Sequence, residues 1–153
     1  MRTLEGDGRG GGRRFCVVAS RFNRPVTERL VDGALEALRG AGVDEEDVDL
    51  VLVPGAWELP WAARRASRGG YDAVVALGCV IRGETDHYDY ICRAATRGLG
   101  DLAAEGDVPV GLGLLTCDTA EQAVQRSGGE KGNKGAEAAE AALELADLAD
   151  RLP

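Results

Sequence analysis

The sequence predicts an α/β protein built on a parallel sheet. Short, continuous Val- and Leu-rich runs bounded by turn residues suit strands covered on both faces, and amphipathic helical stretches alternate with them. Size supplies a further constraint. A chain of 153 residues and 16.1 kDa scales to a folded surface of about 7,400 Å² and ~68% burial, enough for one core.

The strand candidates are Phe15 to Ala19, Val48 to Val53, Ala73 to Gly78 and Val108 to Leu115. Between the first two, Val26, Leu30, Ala34, Leu35 and Leu38 recur at helical spacing behind Pro25, a favourable first-turn residue. Trp57 to Arg68 reads as a second helix, with Pro60 tolerated in its first turn and Gly69-Gly70 as its stop. A third helix is predicted from about His87 to Glu105. Thr119 and Gln122 form a capping box that opens a fourth, ending at Gly128-Gly129. The fifth runs from Gly135 to Asp150, with Ala138, Ala142, Leu145 and Leu148 or Ala149 on its inner face. Alternating strands and helices imply right-handed crossovers. Residues 1–14 stand apart as a flexible or neighbour-docked arm ahead of a single domain over 15–153. Gly6, Gly8 and Gly11 spell G-x-G-x-x-G, but before the first strand, where that fingerprint has no helix to open.

Lys and Arg number 18 against 26 Asp and Glu, a net charge of −8 that repels nucleic-acid phosphates and anionic membranes. The longest uncharged run, Val108 to Cys117, is too short to span a bilayer, and no secretion leader is read at the start. Cys16, Cys79, Cys92 and Cys117 form no CxxC pair, and the chain has one histidine. That pattern predicts no zinc site and no disulfide scaffold, and it suits the reducing cytoplasm.

Parallel sheets bind ligands beyond the carboxyl ends of their strands. Three unusual segments fall there: Ser20-Arg21-Phe22-Asn23, Pro54-Gly55-Ala56-Trp57-Glu58 and Arg82-Gly83-Glu84-Thr85-Asp86-His87. In the third, Gly83 and Thr85 expose amides at a helix start, where an anion such as phosphate is favoured. His87 in the first turn feels the same positive end, which favours the neutral imidazole that accepts protons. Arg126 is separated from that edge by about 13 Å of helix. It and Lys134 are therefore either plain surface residues or parts of a neighbour's site. Gly132-Asn133-Lys134-Gly135 lacks the ending of a P-loop.

From Phe15 to Leu148 the chain resembles the lumazine synthase family of riboflavin biosynthesis. The resemblance rests on Ser20-Arg21-Phe22-Asn23, on Val53 to Glu58, on Ala76 to Thr85, and on His87-Tyr88-Asp89-Tyr90. Thr116 to Thr119, Glu121-Gln122-Ala123 and Gly132 to Gly135 complete it. It implies a flavodoxin-like three-layer α/β/α sandwich with a four-stranded parallel core sheet. It also implies condensation of 5-amino-6-ribitylaminouracil with 3,4-dihydroxy-2-butanone 4-phosphate, through an imine, loss of phosphate and ring closure, without cofactor or metal. By the same resemblance Phe22 stacks on the pyrimidine, Asn23, Ala56, Trp57 and Glu58 hold the ribityl chain, and Val80 and Ile81 line the ring edge. Glu84 and Thr85 offer amides to the phosphate, His87 shuttles protons, and Arg126 of an adjacent subunit pairs with the phosphate. Lys134 matches a nearby site lysine, with Glu137 assisting.

The family assembles as pentamers with shared sites, and some members close sixty-subunit shells of twelve pentamers or associate with riboflavin synthase. The connection from Arg126 to Lys134 has seven intervening residues and no insertion, which matches shell formation. Leu112 stands where many members place a phenylalanine that closes the neighbour's pocket. Asp86 replaces a proline or small polar residue, which sets a carboxylate beside His87. Two other readings share the ancestry: an archaeal-type riboflavin synthase and a non-catalytic flavin- or lumazine-binding shell protein. The Arg82 to Thr85 and Gly132 to Gly135 signatures argue against the first, and the presence of Phe22, His87 and Arg126 against the second.

Overall fold

The structure is a computed structural model describing residues 1–153. Four parallel strands, β1 (Phe15–Ser20), β2 (Val48–Val53), β3 (Ala73–Ile81) and β4 (Val110–Cys117), form one sheet in the order β2-β1-β3-β4. Register runs from Phe15 opposite Val48 and Ala73, and from Val74 opposite Val110. Helices α1 (Arg24–Gly40) and α5 (Lys134–Arg151) cover one face, and α2 (Leu59–Ser67) and α3 (His87–Glu105) the other. This is the three-layer α/β/α, flavodoxin-like sandwich.

The period-2 alternation of strand side chains divides the interior into two cores. Phe15, Val17 and Ala19 of β1 join Leu30, Leu38, Ala139 and Leu143 beneath α1 and α5. Cys16 and Val18 point the other way and join Leu59, Ala63, Leu99 and Leu102. Burial on both faces explains why β1 reads as an unbroken apolar run.

Four elements depart from the sequence expectation. The predicted helix over Trp57 to Arg68 begins as a 3₁₀ turn, Ala56–Glu58, because the Glu58 carboxylate folds back to accept from the Gly55 amide at 2.9 Å. Helix α4 (Ala120–Gln125) keeps its Thr119–Gln122 capping box but ends before Gly128-Gly129. There β5 (Ser127–Gly129) and β6 (Gly132–Asn133) form a small antiparallel hairpin, turned by Gly128 and Gly132 at φ 109 and 79. Strand β3 runs past Gly78 to Ile81, paired to β4 throughout.

The fourth departure is the inner face of α5. It is built from Ala138, Ala139, Ala142, Leu143 and Ala146, while Leu145 is 42% exposed. The cause is the close approach of α5 to β4. A Cβ at Gly111 would strike the Ala138 backbone, and one at Gly113 would meet Ala138 Cβ at 3.2 Å. Only small side chains fit that gap. Leu145, Leu148 and Ala149 instead line a surface groove beside Val108 and Val110.

Residues 1–14 carry neither helix nor strand and lie along α5 of their own chain. Arg13 bonds Asp150 at 2.9 Å, Arg151 donates to the Glu5 carbonyl at 2.6 Å, and the Asp7 amide donates to Asp147 at 3.2 Å. Arg151 beside Asp147 holds that carboxyl below its ordinary range. No helix is long and apolar enough to cross a membrane.

Candidate active site

The chain leaves β1 toward β2, then crosses back to place β3 on the other side of β1. That reversal opens a crevice beyond the carboxyl ends of β1 and β3, the usual ligand position in an open α/β sheet. A cavity of ≈ 300 Å³ occupies it. Seven of the expected residues line it: Phe22, Ala56, Trp57, Val80, Ile81, Thr85 and His87.

Each is delivered by local chemistry. Asn23 is the one non-glycine residue at positive φ (62), a conformation asparagine tolerates, and it turns β1 sharply into α1. Its carboxamide donates to the Cys79 carbonyl at 2.9 Å and so ties that turn to β3. The ring of Phe22 is left 71% exposed at the cavity rim, free to stack on a planar ligand. Glu58 spends one carboxylate oxygen on the Gly55 amide. Neither Asn23 nor Glu58 lines the cavity wall.

Across the crevice, the amides of Gly83, Glu84 and Thr85 carry no hydrogen bond within the chain and precede the first turn of α3. Unsatisfied donors at a helix start attract anions. The His87 amide donates to Thr85 Oγ1 at 3.4 Å, and its imidazole faces the cavity. Asp86 makes no ion pair with His87 and lines a separate recess with Asp89, Tyr90 and Arg93. Glu84 is exposed and lies outside the cavity wall.

Arg126, Lys134 and Glu137 line a second, polar cavity of ≈ 480 Å³ between β4, α4 and the start of α5. Lys134 pairs with Glu137 at 3.9 Å, while Arg126 donates to the Gln122 carbonyl at 3.1 Å and has no carboxylate partner. Lys131 adds a third cation. Burial raises the Cys117 thiol, and the nearby Arg126 charge opposes the shift. Leu112 is 46% exposed on β4 and belongs to neither cavity. Within one chain, then, His87 and Arg126 face different cavities.

Sequence reasoning missed Tyr88 and Ile91, which reach the first cavity from α3 one and four residues after His87. The helical spacing from His87 was the available signal for Ile91. It also missed Gln122 and Lys131 in the second cavity. No three His, Cys, Asp or Glu side chains gather in a geometry able to chelate a metal ion.

Comparison with known proteins gives one family. The family described as 6,7-dimethyl-8-ribityllumazine synthase matches residues 12–150. A protein of that name from Gemmatimonas aurantiaca is 57% identical over 130 residues, 84% of this chain and 79% of the relative. Relatives of the same name from Nautilia profundicola and Salinibacter ruber are 47% identical over 130 residues and 51% identical over 126. These cover 84% and 82% of this chain and 84% and 81% of the relatives. With a family match over residues 12–150 and relatives 47–57% identical over most of the chain, the chain belongs to the 6,7-dimethyl-8-ribityllumazine synthase family.

Proposed function

We propose that this protein condenses 5-amino-6-ribitylaminouracil with 3,4-dihydroxy-2-butanone 4-phosphate to 6,7-dimethyl-8-ribityllumazine, releasing phosphate and water in the penultimate step of riboflavin synthesis. One observation carries the assignment of roles. The switch-point cavity combines a free aromatic face at Phe22, a lone imidazole at His87 and unbonded amides at Gly83 to Thr85. Phe22 stacks on the pyrimidine ring while Val80 and Ile81 bound its edge. Asn23, Ala56, Trp57 and Glu58 hold the ribityl chain; Glu84 and Thr85 present their amides to the phosphate.

The pyrimidine's 5-amino group attacks the butanone carbonyl, water leaves, and the imine forms. Proton removal from the carbon chain expels phosphate, and attack by the second nitrogen closes the ring with loss of water. His87 takes and returns the protons of these steps, a role that contributes about 10²–10⁴-fold in typical enzymes.

Arg126 and Lys134 complete the site of an adjacent subunit, because their cavity and that of His87 are separate within one chain. Leu112 contributes an apolar wall in the same way. The surface supports such assembly. The isolated chain exposes 8709 Å² where its mass predicts about 7,400 Å² for a monomer. Leu50, Val51 and Leu52 stand exposed along β2, an edge strand with an unpaired side. In this reading residues 15–153 are one catalytic domain, residues 1–14 an arm able to dock on a neighbour, and the assembly a pentamer that builds a sixty-subunit shell in the cytoplasm. Such a shell would also offer a surface for riboflavin synthase.

Incubating the pure protein with both substrates tests the reaction: lumazine absorbance and fluorescence must grow, and binding without turnover overturns the assignment. Sharing is tested by mixing inactive His87→Ala with inactive Arg126→Ala subunits. Mixed pentamers regain some intact sites and hence activity; proven mixed pentamers without activity refute the shared site. Light scattering at physiological salt tests the shell, which a pentamer-sized species alone would exclude.

A further inference from the structure

We propose that Arg82 is a positioning residue for the His87 loop, acting as a clasp that holds the start of α3 against the β4–α4 connection. The inference rests on the reaction assigned above. Arg82 follows the last residue of β3, and its amide donates to the Cys117 carbonyl at 2.9 Å, extending the ladder by one bond. Its guanidinium then meets three groups from two other segments. Nε donates to Asp118 Oδ1 at 2.8 Å, Nη1 reaches Asp89 Oδ2 at 3.5 Å, and Cζ lies 4.3 Å from the centroid of the Tyr88 ring.

Arg82 is 45% exposed, so each pair alone is weak. Their collective effect comes from what the loop lacks. Residues 82–87 are exposed, and the amides of Gly83, Glu84 and Thr85 have no internal partner. The His87 amide bonds Thr85, and the Asp86 carbonyl accepts from the Asp89 and Tyr90 amides, but these are bonds within the loop and its own helix. The Arg82 side chain is what ties that segment to the β4–α4 connection. The planar fork suits a site with a carboxylate on each side and an aromatic face beneath, and a lysine cannot serve all three. Removing the cation also leaves Asp89 and Asp118 facing one another next to a loop meant for an anion. Arg82 lines neither cavity, which separates this role from that of a phosphate ligand.

The test compares Arg82→Ala, Arg82→Lys and the wild type in the lumazine-forming reaction. Misplacement of a catalytic group by about 1 Å costs on the order of 10²-fold, so Arg82→Ala is expected to lower kcat by about tenfold to a hundredfold. The KM for the pyrimidine stays, and Arg82→Lys recovers part of the loss. Arg82→Ala combined with Asp118→Asn is expected to cost less than the two changes added together. Unchanged kcat overturns the proposal, as does a rise in the butanone phosphate KM at constant kcat, which would make Arg82 a substrate ligand. A crystal structure of Arg82→Ala decides the matter independently of activity: the segment from Gly83 to His87 must shift while β3 stays. If the wild type forms no lumazine, the assigned reaction fails, and this structure still tests the clasp.

Discussion

Gly135→Ala probes how the fold builds the cationic cavity. Gly135 is buried in the first turn of α5, where that helix crosses α1. A Cβ there would fall on the Leu30 carbonyl, with the carbonyl carbon at 2.7 Å and Leu30 Cα at 2.9 Å. Ordinary carbon contacts lie at about 3.5–4.0 Å, so the helices must part by roughly 1 Å. All three obstructing atoms, the Leu30 carbonyl oxygen and carbon and its Cα, are backbone, so no rotamer change relieves the clash. Overpacking of this kind costs about 1–3 kcal/mol. Better helix propensity returns at most about 1 kcal/mol, and less than that in a first turn.

A net loss of about 1–2 kcal/mol lowers the urea midpoint by about 0.5–1 M, given m-values of roughly 1–3 kcal/mol/M. The displacement also reaches the site. Asn133 caps α5 by accepting from the Gly135 and Ala136 amides and donates to the Arg29 carbonyl at 3.0 Å, while Lys134 and Glu137 flank the same turn. The butanone phosphate KM should therefore rise with the loss of stability. Gly100→Ala is the control: Gly100 lies within α3 with nothing inside 4 Å of its added Cβ, so propensity alone acts and stability rises by up to about 1 kcal/mol. Equal midpoints for both variants at one protein concentration would refute the packing argument.

Three further outcomes follow from single side chains. Ser20→Ala removes a buried hydroxyl that has no hydrogen-bond partner, so the thermal midpoint should rise, by the equivalent of about 1 kcal/mol; a fall would mean that the hydroxyl is satisfied. Phe22→Ala removes the free ring, and stacking worth about 1–3 kcal/mol per base predicts a pyrimidine KM raised about 5- to 150-fold with the butanone KM little changed, as steady-state kinetics will check. Burial raises all four thiols, Cys16 to about 11 and Cys79 to about 12, but only Cys92 is half-buried rather than buried; it alone should react promptly with a disulfide reagent at pH 8 before unfolding, and four thiols after it.

How far the sequence reveals this molecule depends on which interaction decides each element. Strands buried on both faces need continuous apolar runs, so β1 and β3 were plain. The end of α3 at Gly106, φ 77, was marked by its glycine. The inner face of α5 was misread because hydrophobicity favours Leu145, whereas the decisive quantity was the gap left above Gly111 and Gly113, a tertiary fact. The β5–β6 hairpin was hidden because Ser127–Gly129 and Gly132–Asn133 show no apolar alternation, and their pairing depends on two glycines at positive φ. At the site, the convergence of three loops was legible from strand ends. The paired role of Arg82 was not, because its partners Asp89 and Asp118 come from segments that only the sheet order brings together.

The placement of charge follows the same logic. A chain of net charge −8 repels a phosphorylated substrate at long range. Three cations, Arg126, Lys131 and Lys134, nevertheless gather around one cavity, with Glu137 as the carboxylate in its wall. The Debye length is about 8 Å at physiological salt, so the distant acids on α1, in the Glu45–Asp47 turn and at the chain ends are largely screened while this cluster acts at contact range. The switch-point cavity is mainly apolar and holds the imidazole, a group able to exchange protons without fixing a strong charge beside the ring. The cationic cluster and the imidazole thus line two separate cavities, and Asp118, between β4 and α4, is gripped by Arg82 from the end of β3. Within one chain the His87 and Arg126 cavities are separate, which is why the shared site proposed above draws on a second subunit.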